Sequence, residues 1–328
     1  MRVVKNLIAK GGSSMEKEVA LNKENPKLFL NNKKTIKNII KYRHFYIMAL
    51  PVVILLLLFN YYPMLGIRIA FYEWGLFGPV DFVGLDNFKL LFESNMFWRA
   101  FFNTLKLSCM NLALSMFFSV GFALLLNEIP NLRFKKFAQT VLYLPHFLSW
   151  VVVASIFTMF LSPQGGIINE IIKLFGGEPT YFLVSEQWWT PIYMFISRWK
   201  ETGWSTIIFI AALAGVEQEM YEAAEIDGAS RLKQTWYITL PSIQNTILVV
   251  FILNLAKVLN VFESVFVLYN PMVYDIADVI ETYIYRAGLI NADYGFATAV
   301  GLFKSIISFI LVLSVNQINK KIKGEGIL

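Results

Sequence analysis

At 328 residues, 56% hydrophobic and 16% charged, with a mean hydropathy of +0.54, the chain is too apolar for a soluble domain, which usually carries about a quarter charged residues. Its net charge of +6 does not mark a nucleic-acid groove, because eleven of the 29 basic residues fall before His44, on the flank of the first apolar segment. The single cysteine, Cys109, excludes a disulfide framework and, lying in an apolar run, reads as packing.

In chain order, residues 1–43 form a basic N-terminal segment. Within it Lys10–Met15 reads KGGSSM, and Lys-Gly-Gly can be encoded by AAAGGAGG, a ribosome-binding sequence, so translation is expected to start at Met15. Six apolar segments follow, at about 45–66, 100–126, 137–160, 188–213, 242–268 and 297–318. Each is close to the roughly 20 residues that a bilayer-spanning helix needs. The fourth is the weakest, since RWKETGW (Arg198–Trp204) interrupts it. The expected class is an all-α integral membrane protein, with a six-helix domain over 44–320 and a short tail over 321–328. The first apolar segment is long enough to remain as an anchor rather than a cleaved leader.

Orientation follows from the basic residues. With the N-terminus inside, the internal loops carry Arg133, Lys135, Lys136, Arg231 and Lys233, and the tail adds Lys320, Lys321 and Lys323. The external loops hold fewer over longer stretches, Lys89, Lys173 and Arg286 with Arg68 and Arg99 at the segment ends. This asymmetry places both termini in the cytoplasm.

Between the fourth and fifth segments lies a polar stretch, YEAAEIDGASRLKQTWYITLP, Tyr221–Pro241. Glu217, Glu219, Glu222 and Glu225 load the N-terminal half of a helix, where the macrodipole favours acids. Asp227-Gly228 ends it, because glycine enters the left-handed cap conformation without penalty. A second short helix is expected from about Ser230, with Leu232, Trp236 and Ile238 as apolar contacts. Pro241 suits the first turn of the next membrane helix, where its missing N–H is not needed. By composition alone this elbow could be an amphipathic interfacial loop. The spacing is more particular: Glu222-Ala223-Ala224, three residues, Gly228, nine residues, then Ile238-x-Leu240-Pro241.

That spacing resembles, without a gap, the EAA motif of ABC importer permeases. WKETGW ahead of it, EIDGAS within it and YGFATAVGLFKSII in the last segment resemble the carbohydrate-importing, maltose-type branch, above all its LplB-like members. The likeness spans roughly residues 40–320. It implies the type I importer permease fold, with six membrane helices and the elbow as a coupling helix docked in a groove of an ATPase. Glu222, Ala223, Ala224, Asp227, Gly228, Ile238, Leu240 and Pro241 would carry that docking. It further implies a bacterial cell-membrane location, a second homologous permease, two ATP-binding subunits, an extracellular solute-binding protein and an oligosaccharide substrate. This chain would hold no cofactor, ATP and magnesium residing on the ATPase.

Ionisable residues within membrane helices are costly and are the natural candidates for a substrate path. Asn254, Lys257, Asn260 and Glu263 of the fifth segment, with Trp199, Lys200 and Trp204 of the fourth, form that set. Amides, a lysine and aromatic rings suit sugars, whose hydroxyls need hydrogen bonds and whose apolar faces stack on rings. Lys304 is the expected partner of Glu263. Bundle packing is an equally good reading of the polar members, and a slightly better one of the two tryptophans.

The sequence has no G-x-x-x-x-G-K-[ST], HExxH or CxxC, and its two histidines, His44 and His146, read as satisfied interfacial or bundle residues. Neither a catalytic centre nor a metal site is expected. The alternatives are an importer for amino acids or inorganic anions, a secondary transporter, for which the elbow has no purpose, and a membrane enzyme, for which no acid, base or metal cluster stands at recognisable spacing.

Overall fold

The computed structural model describes residues 41–75 and 78–323; most of the basic N-terminal segment, the proposed start at Met15 and the end of the tail lie outside the described residues. Residues up to Gly66 and residues from Ile67 onward form separate units. In the first, α1 (Arg43–Leu56) continues through a π turn (Leu57–Tyr61) into a 3-10 helix (Tyr62–Phe71), and none of the α1 residues is buried.

From Ile67 on, a short antiparallel hairpin of β1 (Tyr72–Gly75) and β2 (Gly78–Phe82) pairs Tyr72 with Phe82. The buried Asn87 of α2 (Asp86–Glu93) donates to the carbonyls of Ala70 and Tyr72 at 3.0 and 3.2 Å, fastening α2 to the hairpin. The second apolar segment becomes α3 (Asn95–Asn127), 33 residues long, N-capped by Ser94, whose hydroxyl accepts from the Phe97 N–H.

The third segment, expected as one helix, is two. α4 (Leu132–Tyr143) passes through a 3-10 turn (Leu144–Phe147) into α5 (Trp150–Leu161), with a bend of 101°. Pro145 removes a backbone donor at the bend. Ser149 then restarts the helix by accepting from the Val152 N–H at 3.3 Å. A short α6 (Ile167–Leu174) leads to α7 (Glu186–Leu213), 28 residues, which holds Arg198, Lys200 and Glu201 at its centre.

The elbow begins with α8 (Gln218–Ile226). The second elbow helix, α9 (Arg231–Gln234), does not stop before the membrane helix. It runs through a π turn (Thr235–Thr239) into α10 (Leu240–Leu255), one continuous helix from Arg231 to Leu255. Pro241 holds its expected place in the first turn of α10, but the helical path reaches it unbroken from Arg231. The wide π turn relieves the clash of the proline ring with the carbonyl four residues back. Pro63 stands in the same relation to the π turn at Leu57–Tyr61, two residues beyond its end.

The fifth segment also breaks. α10 ends at Leu255, residues 256–261 turn without helix, and α11 (Phe262–Phe266) follows. After α12 (Tyr274–Ala277) and α13 (Ile280–Tyr285) comes α14 (Tyr294–Lys323). Of the six expected spans, four helices are long and apolar enough to cross a membrane among the described residues, five if the bent α4–α5 pair counts as one. α7 has the length but not the apolarity.

Three apolar clusters hold this unit together. Leu107, Val153, Trp189, Tyr193 and Val265 join α3, α5, α7 and α11, where the Trp189 indole donates to the Leu268 carbonyl at 3.1 Å. Leu91, Phe97, Ile280 and Val300 join α2, α3, α13 and α14. Ala123, Phe209, Leu213, Ile243 and Val250 join α3, α7 and α10. Cys109, expected to pack inside, is exposed on α3.

Candidate functional site

Two sites emerge from this frame: the elbow and a polar cleft. At the elbow, Gly228 has φ +75°, the left-handed region. Its N–H donates to the Glu225 carbonyl at 3.0 Å, and the Ala229 N–H to the Ala224 carbonyl at 2.8 Å. These two bonds make a Schellman cap, which satisfies carbonyls at the end of α8 and brings Ala224 beneath Ala229. The small residues of the motif thus have a local cause. Beyond the cap, Gln234 is buried and donates to the Ala229 carbonyl, Tyr221 and Thr239 share a hydroxyl contact at 3.0 Å, and Arg231 pairs with Glu225 at 3.0 Å. The turn is rigidly tied to both helices.

What the elbow leaves outside is apolar. Ile226 is 88%, Tyr237 80%, Leu232 75% and Trp236 68% exposed, while Ile238 is half-buried and Glu222, Ala223 and Asp227 are exposed. Leu232 and Trp236 therefore do not make the contacts within the chain expected of them. On a helix that runs into the membrane, side chains displayed this way face the lipid interface or another molecule.

The cleft, of about 210 Å³, lies midway along α3 and α7 and at the end of α10. Ser108, Asn111, Arg198, Glu201, Asn254 and Lys257 are among its lining residues. Along α3 and α7 it falls between two of the apolar clusters. The Arg198 guanidinium donates to the Asn111 Oδ1 at 2.7 Å, Asn111 donates to the Tyr193 hydroxyl at 3.2 Å, and that hydroxyl meets Ser264 at 2.9 Å. Two further nitrogens of Arg198, Nε and Nη1, and the hydroxyl of the 1% exposed Ser108 are buried with no hydrogen-bond partner among the described residues. A buried donor left unpaired costs roughly 1–3 kcal/mol, more when charged.

Of the expected path residues, the structure brings Asn254 and Lys257 into the cleft and places the others elsewhere. Lys200 is buried against the α4–α5 bend, donating to the His146 carbonyl at 3.0 Å and pairing with Glu201 at 3.2 Å. It thereby satisfies a carbonyl that the bend would otherwise orphan. Trp204 stacks on the His146 ring at 4.6 Å, and Trp199 meets Phe157 edge-on at 5.4 Å. Lys200 is packed in the bundle, while Trp199 and Trp204 each meet one ring and stay 38% and 48% exposed. Glu263 is exposed, and Lys304 is not its partner: Lys304 pairs with Glu281 and donates to the Asn260 Oδ1 at 2.9 Å, because α14 lies beside α13. His146 is satisfied, its Nδ1 lying 3.0 Å from Glu201.

Sequence reasoning missed Arg198, Glu201, Asn111 and Ser108. Arg198 and Glu201 stood in the interrupting RWKETGW, and the signal was there: with 3.6 residues per turn, positions 198, 201 and 205 share a face that 199, 200 and 204 do not.

Residues 115–324 match the family described as the binding-protein-dependent transport system inner membrane component. The chain belongs to that family. Among similar proteins, the polygalacturonan/rhamnogalacturonan transport system permease protein YteP of Bacillus subtilis (strain 168) is 44% identical over 90% of this chain and 93% of its own. Protein LplB of the same organism is 42% identical over 86% and 90%. A chain of a bacterial ABC transporter involved in the import of the acidic polysaccharide alginate superposes with a TM-score of 0.82 at 38% identity, over 88% of this chain and 99% of that one. The same transporter type in complex with a periplasmic protein bound to an alginate pentasaccharide gives 0.81 at 39% identity, over 89% and 99%. This permease has the type I ABC importer fold, and its apolar helices make it a membrane protein.

Proposed function

We propose that this permease carries acidic oligosaccharides, handed over by an extracellular solute-binding protein, along a path that the Arg198–Lys257 cleft walls. A cytoplasmic ATPase drives it through the elbow at 217–241. A second, homologous permease and two ATP-binding subunits complete the assembly. ATP and magnesium sit on those subunits, and both termini of this chain face the cytoplasm. ATPase closure moves the elbow and rocks the bundle between outward- and inward-open states. The names of the relatives support an oligosaccharide as the cargo, and alginate and polygalacturonan are acidic.

The observation that carries this reading is the charge of the cleft. Arg198 and Lys257 face it, while the one acid among its lining residues, Glu201, is already held by Lys200 and His146. The space is left net positive halfway along apolar helices, where a bare cation is costly and an incoming carboxylate is favoured. Asn111 and Asn254 add groups suited to sugar hydroxyls.

Uptake by the complete transporter in liposomes tests it, with trigalacturonate against maltotriose, a neutral sugar of equal length. Trigalacturonate is transported and maltotriose does not compete. Arg198→Gln weakens uptake by about tenfold or more, the worth of one charge-assisted hydrogen bond, without loss of assembly. Equal transport of the two sugars would overturn the charge selection.

A further inference from the structure

The break between α10 and α11 has no cause in its own sequence. Residues 256–261 read Ala-Lys-Val-Leu-Asn-Val, with neither glycine nor proline, and hydropathy runs through them unbroken. Alanine, lysine and leucine are good helix formers, and the two valines and the asparagine are poorer ones, but none of them ends a helix as glycine or proline does. A helix that stops where local chemistry would let it continue is held open by something else.

That something lies on α13 and α14. The Val261 N–H, at the N-cap of α11, donates to the Glu281 Oε2 of α13 at 3.0 Å. The Asn260 Oδ1 accepts from the Lys304 ammonium of α14 at 2.9 Å, and Lys304 and Glu281 pair with each other. The two charged side chains are only 14% and 20% exposed. Val261 is also a lining residue of the cleft, together with Asn254, Lys257 and Val258. One short segment thus lines the cleft and is pinned by a shielded ion pair. A shielded pair contributes little net stability to a bundle, but it fixes geometry, since removing one partner strands the other.

We infer that Glu281 and Lys304 are positioning residues of the transport path: they hold residues 256–261 out of the helix and so place Lys257 in the cleft. This rests on the cleft being the path. Without the pair, α10 and α11 gain a continuous helix, and Lys257 keeps no fixed relation to Arg198. The segment is then a two-state element biased by one ion pair.

The substitution Leu259→Cys, at a position 3% exposed within the break, reports the state of the segment without any substrate. In the complete transporter carrying Cys109→Ser, modification of the introduced thiol by a small membrane-permeant reagent is slow with the pair intact. Lys304→Met raises that rate by about tenfold or more, the worth of a charge-assisted hydrogen bond. Lys304→Arg, which keeps charge and donors, restores the slow rate. Glu281→Gln, the gentler change should Lys304→Met fail to insert, gives an intermediate one. In parallel, the apparent KM for trigalacturonate rises by a similar factor in Lys304→Met while Vmax changes little. An unchanged modification rate in both Lys304→Met and Glu281→Gln would overturn the inference. If the rate responds while the wild-type transporter ignores trigalacturonate, the positioning pair stands and the substrate reading falls.

Discussion

Substituting Gly228 separates the backbone of the elbow from whatever the elbow touches. At φ +75°, any L-residue meets the left-handed penalty, roughly 1–2 kcal/mol. That is a factor of about 5–30 in the population of the formed turn. No atom of this chain lies within 4 Å of where a Cβ would stand, so a side chain meets no obstacle inside the molecule. Asparagine and aspartate enter the left-handed region more readily than alanine. If only the Schellman cap matters, Gly228→Asn and Gly228→Asp are milder than Gly228→Ala. If the turn is pressed into a partner's groove, size decides and the order reverses. The expected result is the reversed order: Gly228→Ala lowers coupling mildly, and Gly228→Asn and Gly228→Asp severely, with membrane insertion unchanged. Co-purification of the ATPase and substrate-stimulated ATP hydrolysis are the measurements. Wild-type values of both in Gly228→Asp would refute the coupling role of the elbow.

Three further outcomes are expected. Gly203→Ala destabilises the bundle by about 1–3 kcal/mol or more, because the new methyl collides with the Leu142 carbonyl at the α4–α5 bend; thermal unfolding in detergent reads it, and an unchanged midpoint would mean that the bend does not seat on α7. Trp204→Ala, which strips the stacking surface from His146, lowers the unfolding midpoint while leaving the apparent KM for substrate unchanged; a raised KM with a normal midpoint would return Trp204 to the path. In a Cys109→Ser background, Glu178→Cys is labelled by an impermeant thiol reagent from outside the cell and Lys233→Cys only from inside, and the opposite pattern would put the elbow out of an ATPase's reach.

The elbow was legible because its signals are short-range. A left-handed residue needs glycine, a helix end needs a cap, and Gly228, Ala224 and Ala229 meet those needs within six residues. The membrane class was legible for a similar reason: composition summed over about 20 residues outweighs local detail. Where a long apolar run bends was not legible. At 144–149 the proline and serine were present, yet the bend of 101° also rests on Gly203 seated against Leu142 and on Lys200 bonded to the His146 carbonyl. At 256–261 no local mark exists at all, and the break depends on Glu281 and Lys304, which are distant in sequence. Which polar residues share a cleft is equally non-local. Lys200 and Arg198 are two positions apart, about 200° around the same helix, so one is drawn to a bare carbonyl while the other turns to Asn111 and the open space. A sequence states which charges must find partners inside a membrane; the fold alone decides which of them are left for a ligand, because a buried charge takes the nearest acceptor that three-dimensional packing brings to it.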